Sequence, residues 1–577
     1  MINPTFSRLL RAAFPYQKTL ALAFGLLMIS ATAEVCGPIL FKYFIDNYLT
    51  KSEWQTATLF VFMGCFLALQ LLAAAASYSQ SILLNKTAQK IIKTLRYSTF
   101  GAALHLPASY LDKHQTGHII STISNDTETL LQFYVQVIGQ SLQKLILLFG
   151  ILIGMFVLNQ TLASYVFVMV CLAVFVMFIY QKLSLPWSRK ARQSLSTLNH
   201  QLSETLQGIP VIQSFIQEKH FASRFSQQNN DYLNSRFRML KLNGLLLRPL
   251  IDLLYISTLC AILSQFAMSG PELIQVGIIY AFVSYMGRMI EPLNEITNQL
   301  TQVQQAIIAG ERIFALQDEQ QEPTGHYSAV VQGNIEFKHV SFRYLPEGPL
   351  VSQNISFHVR SGEMLAIVGH TGSGKSTLLH LLTGMYSYSD GEIFIDEIES
   401  KEWNRNSLRS QLGVIQQDPF IFTGTVAENI RFGRKNISDA AILQALQDVR
   451  WLDSMKAEDY LEMPLQENGK NLSSGQRQLL SFARALVTRP AVMLLDEATS
   501  SIDTHTERLL QQALAAIKKQ HTWIVVAHRL STIADADQIL VMQHGKIIEQ
   551  GTHHQLLSLN KHYAMLYQLQ QTTTEVT

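Results

Sequence analysis

Leu145 to Gln181 carries no charged side chain, Trp54 to Asn85 carries none, and Thr19 to Phe41 carries only Glu34. About 20 apolar residues in one helix cross a bilayer with every backbone group satisfied internally, so runs of this length read as membrane spans. Asn159-Gln160 breaks the longest run into a helical hairpin, and Leu253 to Gly270 and Leu273 to Gly287 flank Pro271-Glu272. The first half of the 577 residues is therefore expected to form six spans. Lys144 lies near the start of the third and must snorkel to reach water. Pro4 to Tyr16, with Arg8 and Arg11, reads as a short basic interfacial helix leading into the first span.

Lysine and arginine orient the spans. Lys86, Lys90, Lys93, Arg96 and Lys113 lie between spans two and three. Lys182, Arg189, Lys190, Arg192, Lys219, Arg224, Arg236, Arg238 and Lys241 lie between spans four and five. The opposite loops carry little beyond Lys51, so both termini and both long loops are expected in the cytoplasm. Net charge, +2, sums a basic membrane half and a mixed soluble half, and no nucleic-acid partner is expected. Arg8 and Arg11 ahead of an apolar run, with Ala31-Thr32-Ala33, imitate a secretory signal. The run is too long for one, five further spans follow, and Glu34 puts an acid where a lipoprotein signal needs a small or apolar residue. All four cysteines (Cys36, Cys65, Cys171, Cys260) lie in apolar spans, which implies neither a disulfide framework nor a zinc site.

The second half carries the chemistry. Gly369-His370-Thr371-Gly372-Ser373-Gly374-Lys375-Ser376 follows an apolar strand, Met364 to Val368, and opens an amphipathic helix that continues through Thr377. This is the Walker A pattern in its required context: glycines let backbone N–H groups curl around phosphate oxygens, Lys375 reaches the β- and γ-phosphates, and the Ser376 hydroxyl can ligate Mg²⁺. Downstream, Ala491 to Leu495 reads as a buried strand ending in Asp496 and Glu497. Such a strand suits Walker B, with Asp496 holding Mg²⁺ through water and Glu497 polarising the attacking water. Taken alone, it would equally be a core strand with a solvated acidic tip.

Leu472-Ser473-Ser474-Gly475-Gln476, followed by a helical run through Leu479, Leu480 and Ala483, resembles the signature motif of ATP-binding cassette (ABC) proteins. Ser473 and the free N–H groups of a helix N-terminus make an anion site without a lysine. In this family's order, Tyr344 is placed to stack on adenine, an interaction worth about 1–3 kcal/mol. Gln417 fits the Q-loop and its Mg²⁺ contact, Asp503 the D-loop, and His528 the switch histidine. Three departures stand out: Ser474 replaces a second glycine, the D-loop reads Ser500-Ser501-Ile502-Asp503, and Leu465 to Gly469 replaces the usual Val-Gly-Glu-Arg-Gly. None removes a catalytic group, but Ser474 adds a Cβ where a partner's γ-phosphate should approach.

The resemblance extends along nearly the whole chain. Tyr110 through Asp126 and Glu204 through Phe215 resemble the cytoplasmic extensions of ABC exporters, whose turns would be coupling helices docking near the Q-loop. Residues 1–316 are expected to form a membrane α-helical bundle of exporter type, 317–330 a polar linker, and 331–577 an α/β P-loop ABC nucleotide-binding domain. Alternation at Ile335, Phe337, Val340 and Phe342 suggests that this domain opens with an antiparallel sheet, before a parallel core with a helical insertion ahead of Asp496. Ala33 to Pro38 with Tyr43 to Asn47, and Val276 to Phe282 with Arg288 to Leu293, resemble the MdlB-type half of bacterial MdlA/MdlB multidrug-like exporters. That resemblance implies an inner-membrane half-transporter with a heterodimeric, MdlA-like partner, surrounding lipid, a small-molecule substrate, and ATP with Mg²⁺. It also implies that each ATP lies between Lys375 of one chain and a signature of the other. A lipid flippase shares every cassette residue, and an ATP-gated regulator would have no need of Glu497. No peptidase-like extension precedes span one, which argues against a processing peptide exporter.

Intramembrane charges are the remaining signal. Arg248 and Asp252 are spaced i,i+4, and Arg288 and Glu291 i,i+3, so each couple can pair on one helix face. A charge left unpaired at a span's centre costs roughly 2.5–3.5 kcal/mol. Glu34 lies roughly 24 Å along span one from Lys18, past the bilayer midplane, with no partner nearby in sequence. It is expected to face the translocation cavity and to favour cationic substrates.

Overall fold

The computed structural model describes residues 4–49, 56–268, 275–322, 324–451, 457–496, 512, 514–515, 517–527 and 533–574. The chain divides into two compact units, Met1–Leu104 with Thr116–Glu319, and His105–Gln115 with Gln320–Thr577.

The helical unit begins with α1 (Pro4–Ala13), α2 (Gln17–Phe44) and α3 (Thr56–Ala103). After α4 (Ala108–Lys113), which belongs to the other unit, it continues with α5 (Thr116–Ser121), α6 (Thr127–Gln132), α7 (Leu142–Leu158) and α8 (Gln160–Gln207). The unit closes with α9 (Ile209–Ser214), α10 (Glu218–Leu242), α11 (Arg248–Met268) and α12 (Val276–Asp318). Single π-helical stretches join several of these into continuous rods. Among the described residues, five rods are long and apolar enough to cross a membrane: Pro4–Leu49, Thr56–Ala103, Thr116–Leu158, Gln160–Gln207 and Glu218–Phe266. The sixth expected span is the start of α12, where the helix forms but Arg288 and Glu291 interrupt its apolar run.

Local chemistry explains the hairpin between α7 and α8. Asn159 is extended, and its side-chain oxygen accepts from Leu162 N at 3.0 Å, capping α8 at the residue where the charge-free run was expected to break. Gly277, near the start of α12, sits where a Cβ would lie 2.6 Å from both the Lys42 carbonyl oxygen and Asp46 Oδ1, so only glycine lets α12 approach the end of α2 this closely. Its N–H donates to Asp46 at 2.9 Å. Large apolar side chains remain on the outside, Phe60 at 71% exposure and Leu67 and Leu71 at 61%, a surface suited to lipid rather than water.

The α/β unit holds β1 (Ile335–Phe342), β2 (Ser352–Val359), β3 (Met364–Gly369), β4 (Asp390–Ile395), β5 (Ile398–Glu399) and β6 (Leu412–Ile415). Then come β7 (Gly424–Thr425), β8 (Pro464–Leu465), β9 (Val492–Asp496), β10 (Thr522–Val526), β11 (Gln538–Gln543) and β12 (Lys546–Gly551). One sheet is antiparallel in the order β2-β1-β4-β5. A second runs β12-β11-β3-β10-β9-β6 and is parallel except at β12, and β7 pairs with β8 in a third, two-stranded sheet. Leu365 and Ile367 of β3 face the core shared with the antiparallel sheet, while Met364, Ala366 and Val368 face the core under the helices. A strand buried on both faces reads as a continuous apolar run, which is why Met364 to Val368 shows no alternation.

Helix α13 (Lys375–Leu382) follows β3, and α14 (Arg405–Arg409), α15 (Val426–Arg431), α16 (Asp439–Asp448), α17 (Ala457–Leu461) and α18 (Ser474–Leu486) follow in turn. The last four are the helical insertion expected ahead of Asp496. The β1 alternation slips between Phe337 and Val340, and there the ladder is irregular, with His339 at φ +52°. The stretch expected as a linker divides: α12 runs to Asp318, and Gln320 onward joins the α/β unit, where Gly325 N donates to the Trp403 carbonyl at 3.0 Å.

Candidate active site

Strand β3 carries the loop to the C-terminal edge of the parallel sheet, the place where open α/β sheets bind ligands. The chain turns through Gly372 at φ +82° and Gly374 at φ +96°. A Cβ at Gly374 would lie 2.8 Å from the Val351 carbonyl oxygen, in a backbone region that L side chains avoid. Lys375 opens α13 almost fully buried, and its ammonium donates to the carbonyls of Gly369 at 2.8 Å and His370 at 3.0 Å. The cation is thereby held across the loop whose N–H groups can cradle phosphate. The Ser373 hydroxyl is buried without a hydrogen-bond partner among the described residues, a demand that a phosphate oxygen would meet.

Ser376 Oγ donates to Asp496 Oδ1 at 2.8 Å, joining the loop to the tip of β9. A hydroxyl and a carboxylate side by side are the hard oxygen donors that Mg²⁺ takes, so the donor set fits that ion. Thr377 reaches the other side of the site: its Oγ1 is 3.1 Å from the Tyr344 hydroxyl. Tyr344 is 39% exposed and is braced edge-on by Phe342 at 4.8 Å and Tyr386 at 5.0 Å, which leaves part of the ring accessible for stacking.

Tyr386 escaped the sequence analysis. Its hydroxyl donates to the Asp112 carboxylate of α4, and burial, reinforced by that bond, pushes the phenol above its ordinary range. A run of contacts therefore connects α4 to Tyr386, Tyr344, Thr377 and the phosphate loop. The expected coupling helix thus belongs to the α/β unit, where its Asp112 accepts from Tyr386. Nothing in a single sequence marks Tyr386, because its partners lie far away along the chain.

The signature segment is organised differently from expectation. Ser473 caps α18, accepting from Gln476 N at 3.1 Å, while Gln476 Oε1 accepts from Ser473 N at 3.0 Å. The Ser473 hydroxyl is thus engaged in a reciprocal capping box at the start of α18. Gln478, also missed, is buried and donates to the Gln417 carbonyl, tying the Q-loop backbone to α18. Arg484 donates to the carbonyls of Phe420 and Asn429 and to Asn429 Oδ1, each at 3.0 Å, and burial lowers its pKa. Ser473 and Gln476 bond each other rather than the phosphate loop, so the structure brings together Tyr344, Thr377, Ser376 and Asp496 but not the signature. Glu497, Asp503 and His528 lie outside the described residues.

In the helical unit Arg288 and Glu291 find partners on other helices rather than each other. Arg288 Nη1 donates to the main-chain oxygen of Glu34 at 3.2 Å, and Lys144 Nζ lies 3.2 Å from Glu291 Oε1. The expected Arg288–Glu291 couple does not form, Glu34 has a charged neighbour from α12, and Lys144 meets a carboxylate instead of snorkelling. Arg248 and Asp252, at the start of α11, form no ion pair with each other among the described residues.

A phosphate loop joined to an acidic strand tip, a capped signature helix and a set of apolar rods define the class of membrane transporters built around an ATP-binding cassette. Residues 20–293 match the family described as the ABC transporter transmembrane region, and residues 352–500 the family described as ABC transporter. The multidrug resistance-like ATP-binding protein MdlB of Buchnera aphidicola subsp. Schizaphis graminum is 39% identical over 574 residues, covering 98% of both chains. The ATP-dependent lipid A-core flippase of Coxiella burnetii is 32% identical, over 98% of this chain and 96% of its own. The solved structure of a bacterial Atm1-family ABC exporter with ATP bound has the same fold, with a TM-score of 0.79 at 23% identity over 96% of this chain and 98% of the other. The chain belongs to the ABC transporter family, as an exporter-type half-transporter of the MdlB-type, multidrug-resistance-like group.

Proposed function

We propose that this chain is one half of a dimeric pump that uses ATP to expel small, multidrug-like molecules across the inner membrane, its termini in the cytoplasm and an MdlA-like chain as its partner. The observation that carries the reading is the Ser376–Asp496 hydrogen bond, which unites the two motifs that a triphosphate needs.

In this reading Tyr344 stacks on adenine, residues 369–377 wrap the phosphates, and Lys375 takes charge from the β- and γ-oxygens. Ser376, Asp496 and Gln417 would hold Mg²⁺, which supplies charge neutralisation on the phosphates. Glu497 accepts the proton of the attacking water, His528 orders the γ-phosphate, and Asp503 lies at the seam between cassettes. The start of α18 serves the partner's nucleotide, since the bonds of Ser473 and Gln476 stay within their own helix. Catalysis of this kind is mostly positioning and charge stabilisation.

The test is ATP hydrolysis by the purified dimer in lipid, with drug-like and lipid substrates supplied in parallel. Substrate-stimulated hydrolysis and ATP-driven accumulation of drug-like molecules in inverted vesicles are expected. Lys375→Ala, with the partner's site disabled as well, should lower hydrolysis on the order of 100-fold or more. Stimulation and movement confined to lipids would replace this reading with a flippase.

A further inference from the structure

We propose that the intramembrane charges form a charge-compensated binding site for a zwitterionic amphiphile, with Glu34 taking its cationic group and Arg288 its anionic group. The proposal rests on the export reading above and names its substrate class.

Helices α2, α7 and α12 pack against one another, and between them lies a cavity of about 490 Å³ lined by Glu34, Gln140, Gln143, Lys144, Arg288 and Glu291. That volume lies within the range of small-molecule sites. Counted at 1.5 Å per residue from Leu49, Leu158 and Val276, the ends of these rods at the short connections, Glu34, Lys144, Arg288 and Glu291 all fall roughly 18–23 Å deep. Four ionisable groups from three helices therefore share one level inside the span.

Two of the four answer each other. Glu291 sits at the rim, 78% exposed at its side chain, and pairs with Lys144, which is 22% exposed. Glu34 and Arg288 behave differently. Arg288 uses one N–H on the Glu34 main-chain oxygen, and among the described residues no hydrogen bond or ion pair engages the Glu34 carboxylate. Mutual neutralisation would favour a forked bond between guanidinium and carboxylate. Instead both charges line the same cavity, leaving a carboxylate acceptor and further guanidinium N–H donors available there.

The charge count selects the ligand. An organic cation drawn to Glu34 also meets Arg288 and Lys144, and an anion drawn to Arg288 meets Glu34 and Glu291. A molecule bearing both signs satisfies Glu34 and Arg288 together, while the amides of Gln140 and Gln143 offer neutral hydrogen bonds. Leu147 and Pro292 supply an apolar wall for a tail. Glu34 considered without Arg288 would favour cations, and the cross-helix neighbour removes that preference.

The test uses the full dimer in lipid nanodiscs, without nucleotide, and four probes with one octyl tail: octylphosphocholine, octyltrimethylammonium, octyl sulfate and octyl glucoside. Calorimetric binding is expected to favour octylphosphocholine about tenfold over the others, the difference that one charge-assisted contact makes. Glu34→Gln should erase its advantage over octyl sulfate, and Arg288→Gln its advantage over octyltrimethylammonium. A cation preference in the unaltered dimer, or equal weakening of all four probes in both variants, overturns the proposal. The unaltered dimer decides the matter even if a variant fails to assemble. Failure of the export reading shows separately, as ATP that moves none of these probes and no drug-like molecule across inverted vesicles.

Discussion

Single atoms in the ATP site have distinct tasks. Ser376 and Asp496 share a proton-bearing contact that a divalent cation can enter, Lys375 is held over its own loop, and Gly374 occupies a conformation that another residue would strain. The next residue after Asp496 is Glu497, to which we assign the general base. Glu497→Gln keeps shape and leaves Mg²⁺ ligation to Asp496, so nucleotide binding should persist while hydrolysis falls by about 10²–10⁴-fold, the contribution typical of a positioned base. Nucleotide-trapped dimers should accumulate. The measurement is single-turnover hydrolysis in a complex whose partner site is also disabled, because an active partner would mask the loss. An unmutated rate there would remove Glu497 from the chemistry.

Among the elements, α4 matters most for the site. The Asp112–Tyr386 bond and the edge contact of Tyr386 with Tyr344 are separable by substitution. Tyr386→Phe keeps the ring against Tyr344 and loses only the hydroxyl, so ATP affinity should hold within about threefold while substrate stimulation of hydrolysis falls. Tyr386→Ala also releases Tyr344 and should weaken ATP binding by about 1–3 kcal/mol, the value of one base–aromatic stack. Titration with a fluorescent ATP analogue beside stimulated ATPase assays separates the two effects, and identical behaviour of the two variants would deny Tyr386 this dual part. Helix α18 has a comparable anchoring function, since Gln478 and Arg484 bind the backbone at Gln417, Phe420 and Asn429.

For the whole molecule, the organisation of the signature has a consequence. Its side chains cap α18 rather than bond the chain's own phosphate loop, so a lone chain should bind nucleotide and pump little. Expressed without a partner, it is expected to show weak, substrate-insensitive hydrolysis, and co-expressed with an MdlA-like chain it should purify as a one-to-one complex with stimulated activity. Native mass spectrometry and ATPase assays check both statements. A homodimer with robust substrate-stimulated transport would dispense with the partner. Exposed Phe60, Leu67 and Leu71 on α3 also require lipid or a neighbouring helix, so detergent removal should aggregate the free chain.

Much of this architecture is written in local pattern. Charge-free runs determine rods because hydrocarbon tolerates no unsatisfied backbone, Asn159-Gln160 marks the break between two of them, and Met364 to Val368 followed by glycines reads as a buried strand entering a phosphate loop. The β1 alternation pointed to an antiparallel sheet, while its irregular register between Phe337 and Val340 emerged only in the fold. Interactions between distant residues were not legible, because spacing constrains only neighbours on one element. Arg288 and Glu291 could pair by helical geometry, yet packing of α12 against α2 and α7 offered each a different partner. In the same way, only the folded sheet brings Tyr386 between α4 and Tyr344. The sequence by itself determined the family, the rods and the phosphate chemistry, since these follow from periodicity and contiguous motifs. Tertiary structure decided which charges meet in the membrane and which side chains brace the nucleotide site, since those depend on the close approach of elements far apart in the chain.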